Sequence, residues 1–126
     1  MMVAILFITS CASMPTQQEL ASADYGGYPD NYEQIIKTYL EPILKDPYSA
    51  EYRHLKGPEK QWTSFFAQSN YGYGVCYMIN AKNIFGGFTG YKIHHFLIRD
   101  GLVVQHVYES GENYDIMGEV ARDRCK

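Results

Sequence analysis

The 126-residue chain is short of several things that would assign it a function at once. It has no apolar run of the roughly 20 residues a membrane helix needs; Val3–Ile8 falls far short. It has no basic excess. Lys plus Arg is 11 against 14 for Asp plus Glu, a formal charge of −3, which argues against a dedicated nucleic-acid binder. GxxxxGK[ST] and GxGxxG are missing, so no phosphate cradle of those types is encoded. HExxH and CxxC are missing too, and with them the common zinc signatures. There is no internal repeat and no low-complexity stretch. What is present is an ordinary globular balance, 46% hydrophobic and 20% charged, with 12 tyrosines. The length suits one domain and not two.

Residues Met1–Ser10 place the short apolar run Val3–Ile8 ahead of Thr9, Ser10 and Cys11. A short apolar region ending in small residues is a secretory signal. Ile8-Thr9-Ser10-Cys11 resembles the lipobox of bacterial lipoproteins, although no Lys or Arg precedes Cys11. The resemblance implies cleavage before Cys11 and lipidation of that residue. Ala12 follows where Asp would hint at inner-membrane retention, so the outer membrane is the implied address. Several acyl chains on one Cys anchor stably, since each buried CH₂ adds about 0.8 kcal/mol. Residues 11–29 then read as a lipidated Cys and flexible linker, and 30–126 as a single periplasmic domain.

Three cysteines occur, Cys11, Cys76 and Cys125. With Cys11 lipidated, Cys76 and Cys125 remain as an even pair, which an oxidising compartment favours as a disulfide. The other reading is two unrelated thiols, Cys76 buried in a strand and Cys125 exposed.

The fold expected from the pattern is α+β. An N-terminal amphipathic helix packs on a three- to four-stranded antiparallel meander, and a short C-terminal helix closes the chain. Asp30 and Glu33 form a capping box. Tyr32, Ile35, Ile36, Tyr39, Leu40, Ile43 and Leu44 then make one apolar stripe until Pro42 disturbs it. Asp46-Pro47 starts a short helical turn. Glu51–Leu55 reads as a strand that Gly57-Pro58 breaks. Tyr71–Ala81 alternates strictly, as a strand should. Tyr91–Arg99 and Leu102–Tyr108 form a hairpin across Asp100-Gly101, a two-residue turn of the primed type. Uninterrupted, that register sets Arg99 opposite Leu102, Leu97 opposite Val104, His95 opposite His106 and Lys92 opposite Glu109. Tyr114, Ile116, Met117, Val120 and Ala121 suit the closing helix.

Between the second strand and the hairpin lies the most distinctive stretch: Asn80, Ala81, Lys82, Asn83, Ile84, Phe85, Gly86, Gly87, Phe88, Thr89 and Gly90. With Val75-Cys76 ahead of it, and with Asp46-Pro47-Tyr48-Ser49-Ala50, it resembles a widespread family of small bacterial exported proteins. That family carries an N-[AG]-K-N-x-x-G-G-[YF]-x-G loop after a Cys-containing strand. At position 77, where the family has a small residue, this chain has Tyr77. The resemblance covers roughly residues 30–126 and implies placement, not chemistry. Physically, Gly86, Gly87 and Gly90 permit tight reversal. Asn80 and Asn83 can satisfy backbone groups, and Lys82 can donate to carbonyls. The loop, Phe88 included, is either a structural plug or a ligand and interaction site.

Candidate chemistry is thin. His95 and His106, side by side in the expected register, are weak metal candidates with His54 as a possible third ligand. Glu109, Glu112 and Asp115 could be paired carboxylates, but a solvated acidic turn explains them more simply. No catalytic residue and no cofactor is assigned. The aromatic residues Tyr71, Tyr73, Tyr77, Tyr91, Phe85 and Phe88 serve either core packing or a partner surface. The function expected is a non-enzymatic outer-membrane lipoprotein, an accessory interaction subunit of a cell-envelope assembly. Its partners are the membrane, through the lipid, and other envelope proteins, with no nucleic acid. Size and location also fit an accessory lipoprotein of a type IV secretion core complex. The alternative is a small periplasmic hydrolase or metal- or ligand-binding protein using the Gly-rich loop and the His pair.

Overall fold

A computed structural model describes residues 14–65 and 68–126. The signal and lipobox readings, Cys11 included, lie outside the described residues. In chain order the elements are α1 (Gln17–Ser22), α2 (Tyr32–Leu40), a 3₁₀ turn (Pro47–Ser49), β1 (Glu51–Phe65), β2 (Gln68–Lys82), β3 (Phe88–Arg99), β4 (Leu102–Tyr108) and α3 (Ile116–Arg124). The strands form one antiparallel sheet in the order β1-β2-β3-β4, a meander in an α+β fold.

Helix α2 starts one residue later than the capping-box reading placed it. Tyr32 N–H bonds to Pro29 O, which puts Asp30 inside a turn, and Asn31 becomes the N-cap without a side-chain bond. Glu33 instead pairs with Lys37 at 3.0 Å. The helix ends at Leu40, before Pro42, as a missing backbone donor dictates. Ile43 therefore leaves the stripe and faces solvent. Ile36 and Leu40 stay buried, in one cluster with Val75, Tyr77, Ile79, Phe96 and Ile98; Tyr32, Ile35, Tyr39 and Leu44 pack around it.

β1 corrects a second expectation. Gly57-Pro58 does not end the strand; it makes an irregularity, with register shifts between His54 and Lys56 and between Lys56 and Glu59. Gly57 holds φ at +90°, and a Cβ there would stand 2.1 Å from Gly74 O. Pro58 is tolerated because β1 is an edge strand, where an absent N–H deprives no neighbour.

The turn between β3 and β4 has φ of 50° at Asp100 and 78° at Gly101, as the primed type requires. Arg99 faces Leu102, and Ile98 faces Val103. The ladder then slips by one residue: Leu97 faces Gln105, Phe96 faces His106, His95 faces Val107 and His94 faces Tyr108. Val104 is the extra residue of a bulge, and such a slip moves every later side chain to the other face.

Helix α3 covers the second face of the sheet. Asp115 caps it, accepting from Gly118 N–H at 2.9 Å. Cys125, its C-cap, is joined to Cys76 with Cα atoms 5.8 Å apart. That bond turns one side of α3 toward the sheet. Four and seven residues before Cys125 on that side come Ala121 and Gly118, and both are buried. Tyr114, Ile116 and Met117, expected on the buried stripe, are exposed. Cys76, His95, Leu97 and Val107 lie buried on this face.

The segment expected as a linker carries α1, closed by a capping box between Thr16 and Glu19. Tyr25 is buried edge-on against Tyr71, with ring centroids 5.6 Å apart. Arg99 donates to both Asp24 O and Tyr71 O.

Two outcomes are expected in denaturant unfolding. Leu40→Ala, emptying a site with no solvent exposure, should lower stability by about 2–5 kcal/mol. Cys125→Ser opens a loop of sequence separation 49 and should cost about 4 kcal/mol by chain entropy.

Candidate functional site

The β2–β3 turn brings together the residues the sequence singled out, but turns their polar groups inward. Asn83 Oδ1 accepts from Phe85 N–H at 2.9 Å and from Gly87 N–H at 3.2 Å. Its backbone N–H bonds to Gly87 O, and its carbonyl accepts from Gly86 N–H. Asn80 Oδ1 accepts from Gly90 N–H at 3.0 Å, closing the base of the turn. Lys82 does not donate to loop carbonyls. Its ammonium lies 3.4 Å from the Asp46 carboxylate and 5.4 Å from the Phe88 ring centroid. The carboxyl of Asp46 is held below its usual range, first by the Ser49 hydroxyl and then by Lys82. Ile84 and Phe85 at the apex stand out in solvent.

The histidines are sorted differently from the uninterrupted register. Because of the Val104 bulge, His95 and His106 fall on opposite faces of the sheet. The pair that meets is His94 and His106, Nδ1 to Nε2 at 2.9 Å, with rings stacked at 5.2 Å. Phe96 stacks on His106 at 4.4 Å, and Tyr39 of α2 meets His106 edge-on. One nitrogen of the contact donates and the other must be bare, so a doubly protonated pair is incompatible with it. Burial, helped by His106 and Lys92, pushes His94 down to about 3; burial pushes His106 down to about 4.

His95 lies beneath α3, opposite Cys76. Its Nε2 is 2.6 Å from Gln61 Oε1, and the Gln61 amide nitrogen donates to Glu59, which sets the amide's direction. His95 therefore carries its proton on Nε2, and Nδ1 has no partner among the described residues. Burial first, then Arg124, pushes it down to about 3. Gln61 reaches His95 across Gly74, where a Cβ would stand 1.9 Å from the amide oxygen. No sequence signal named Gln61, because its role depends on the β1 irregularity that sets its register. Tyr77 points to the opposite face from Cys76, edge-on to Tyr52 and His54.

The remaining candidates are tied into the scaffold. Glu109 does not pair with Lys92. Its carboxylate accepts from Arg122 at 2.7 Å and from Ile93 N–H, while Lys92 donates to Ser110 O. Asp115 caps α3 and accepts from Ser110 N–H. Among the described residues no three His, Cys, Asp or Glu side chains converge as a metal site would require. A shallow cleft of about 320 Å³ lies between α2 and the 3₁₀ turn, lined by Lys37, Glu41 and Tyr52 and by Pro47, Tyr48 and Ala50 of the Asp46–Ala50 element that the sequence singled out. Comparison with known protein families, curated proteins and solved structures finds no match to this chain.

The three desolvated imidazoles, His94 and His95 buried and His106 partly so, predict a pH dependence. Their folded-state values lie below the unfolded value of about 6.5, so between the two the unfolded chain binds more protons. Stability is then complete above about pH 6.5 and falls as pH drops toward 4, by roughly 1.4 kcal/mol per pH unit for each imidazole. Melting temperature should be level from pH 7 to 8 and decline below 6.5. Imidazole proton resonances of His94, His95 and His106 that titrated near 6.5 in the native state would contradict the burial.

Proposed function

We propose that the chain is an outer-membrane lipoprotein whose α+β domain faces the periplasm and acts as an accessory, non-enzymatic subunit of an envelope assembly. The observation that carries this reading is the Cys76–Cys125 bond between the centre of the sheet and the last helix. A bond of that kind belongs to an oxidising compartment, which agrees with the export signal and lipobox expected at Val3–Cys11. Its role as an interaction subunit draws support from how the chemistry-bearing side chains are used. His94 and His106 bond to each other, His95 to Gln61, Glu109 to Arg122, and Asp115 to the start of α3. Each is occupied in holding the scaffold. Ile84 and Phe85, neighbours at the apex of the β2–β3 turn, stand exposed and available for contact.

Cells fed labelled palmitate provide the test. The wild-type chain should carry label and sediment with the outer membrane; Cys11→Ser should lose both, with the domain still folded and its disulfide intact. A wild-type polypeptide with Met1 in place and an unmodified thiol at position 11 would overturn the reading.

A further inference from the structure

Helix α3 is held over the sheet by little besides its sulfur. Its buried residues are Gly118 and Ala121, which carry one methyl group between them, while Ile116 and Met117 are exposed. Its ties at the rim, Arg122 to Glu109 and Arg124 to Gln105, are partly exposed, and such pairs add little. Nine residues are too few to stay helical unaided. The closed position also carries a penalty. His95 is fully buried beneath the helix, and its Nδ1 has no partner among the described residues. Closing therefore strips water from an acceptor and returns no hydrogen bond. Leu97 and Val107 gain cover from α3, but ordering the helix offsets that gain. What tips the balance toward closure is the bond from Cys125 to Cys76.

We propose that α3 is a redox-controlled cover, closed over His95 by the Cys76–Cys125 bond and released when a dithiol reductant breaks that bond. The two sulfurs differ in access: Cys76 is fully buried in β2, and Cys125, the C-cap of α3, is partly exposed. A thiolate of the dithiol attacks Cys125 Sγ. The S–S bond breaks, and its electron pair leaves with Cys76, which takes up a proton. The second thiol of the reductant attacks the sulfur now bonded to Cys125, and Cys125 leaves in turn and is protonated. Two electrons and two protons pass to the cysteines, and the reductant ends as a disulfide. Lys56 stands opposite Cys76 in the ladder, its ammonium 2.8 Å from Lys126 O. That positive charge favours Cys76 as a departing thiolate.

Release is local. The cluster of Ile36, Leu40, Val75, Tyr77, Ile79, Phe96 and Ile98 lies on the other face of the sheet and includes no residue of α3. The sheet and α2 keep that core when α3 lifts. Gln61 still accepts from His95 Nε2, so the open face presents Nδ1 to water beside Leu97 and Val107. Reoxidation of the two thiols closes it again. The cover depends on the domain alone and not on a lipid at Cys11.

The test compares the full chain, oxidised and reduced with dithiothreitol, by hydrogen exchange and by imidazole proton resonances. On reduction, amides of residues 116–124 should gain at least tenfold in exchange rate relative to those of β2 and β3. The His95 resonance, silent in the oxidised chain, should titrate toward the ordinary value of about 6.5, while His94 and His106, under α2, stay silent in both. Cys125→Ser should behave as the reduced chain without any reductant. Exchange that rises equally in α3 and the sheet would overturn the cover, because the domain would then open as a whole. So would unchanged protection of α3 with a silent His95. A bond that dithiothreitol reduces only in denaturant would overturn the attack at Cys125. An unlipidated wild-type chain that still opens on reduction would sink the proposed function and leave the cover standing; a lipidated chain whose helix stays shut would do the reverse.

Discussion

A covalent tie between the middle of β2 and the next-to-last residue sets what the second face of the sheet becomes. Cys76 is buried on that face, and Cys125 must turn toward it. The helix ahead of Cys125 then has no freedom of rotation. Gly118 and Ala121 face inward, and their small size lets the helix lie close over His95, Leu97 and Val107. Polar contacts around the rim complete the seal: Arg122 to Glu109, Arg124 to Gln105, and Lys56 to the carbonyl of Lys126. A nine-residue helix with two small buried residues would be marginal alone, so the bond does much of the holding.

With α2 on the opposite face, β3 is buried on both sides. Phe96 and Ile98 join the α2 cluster while His95 and Leu97 lie under α3. Two-sided burial of β3 explains why His94 and His95 are desolvated, while His106 of β4 is covered by stacking on Phe96; each is paired or ring-stacked instead of lining a cleft. Such polar groups inside a core add specificity of register, because only one alignment of β3 satisfies them. The same groups make the fold sensitive to acid.

The β2–β3 turn belongs to a different economy from the core. Its asparagines satisfy its backbone, its glycines allow the reversal, and its aromatic and aliphatic side chains are left outside. Ile84 and Phe85 stand in solvent at the apex.

Much of the architecture was legible in the residues themselves. Strict alternation marked β2, Asp100-Gly101 marked the hairpin, Pro42 marked the end of α2, and the even pair of cysteines matched the bond that forms. These are local signals, or a simple count, and need no knowledge of distant parts of the chain. Tertiary structure alone decided the neighbours. The extra residue at Val104 gave His106 to His94 instead of His95. The irregularity at Gly57 carried β1 on to Gln61 and so to His95. The Cys76 bond chose small residues over large ones for the buried side of α3. In each case a one-residue shift or a rotation changes which side chains meet without changing any local preference, and only packing against the rest of the molecule selects among such alternatives.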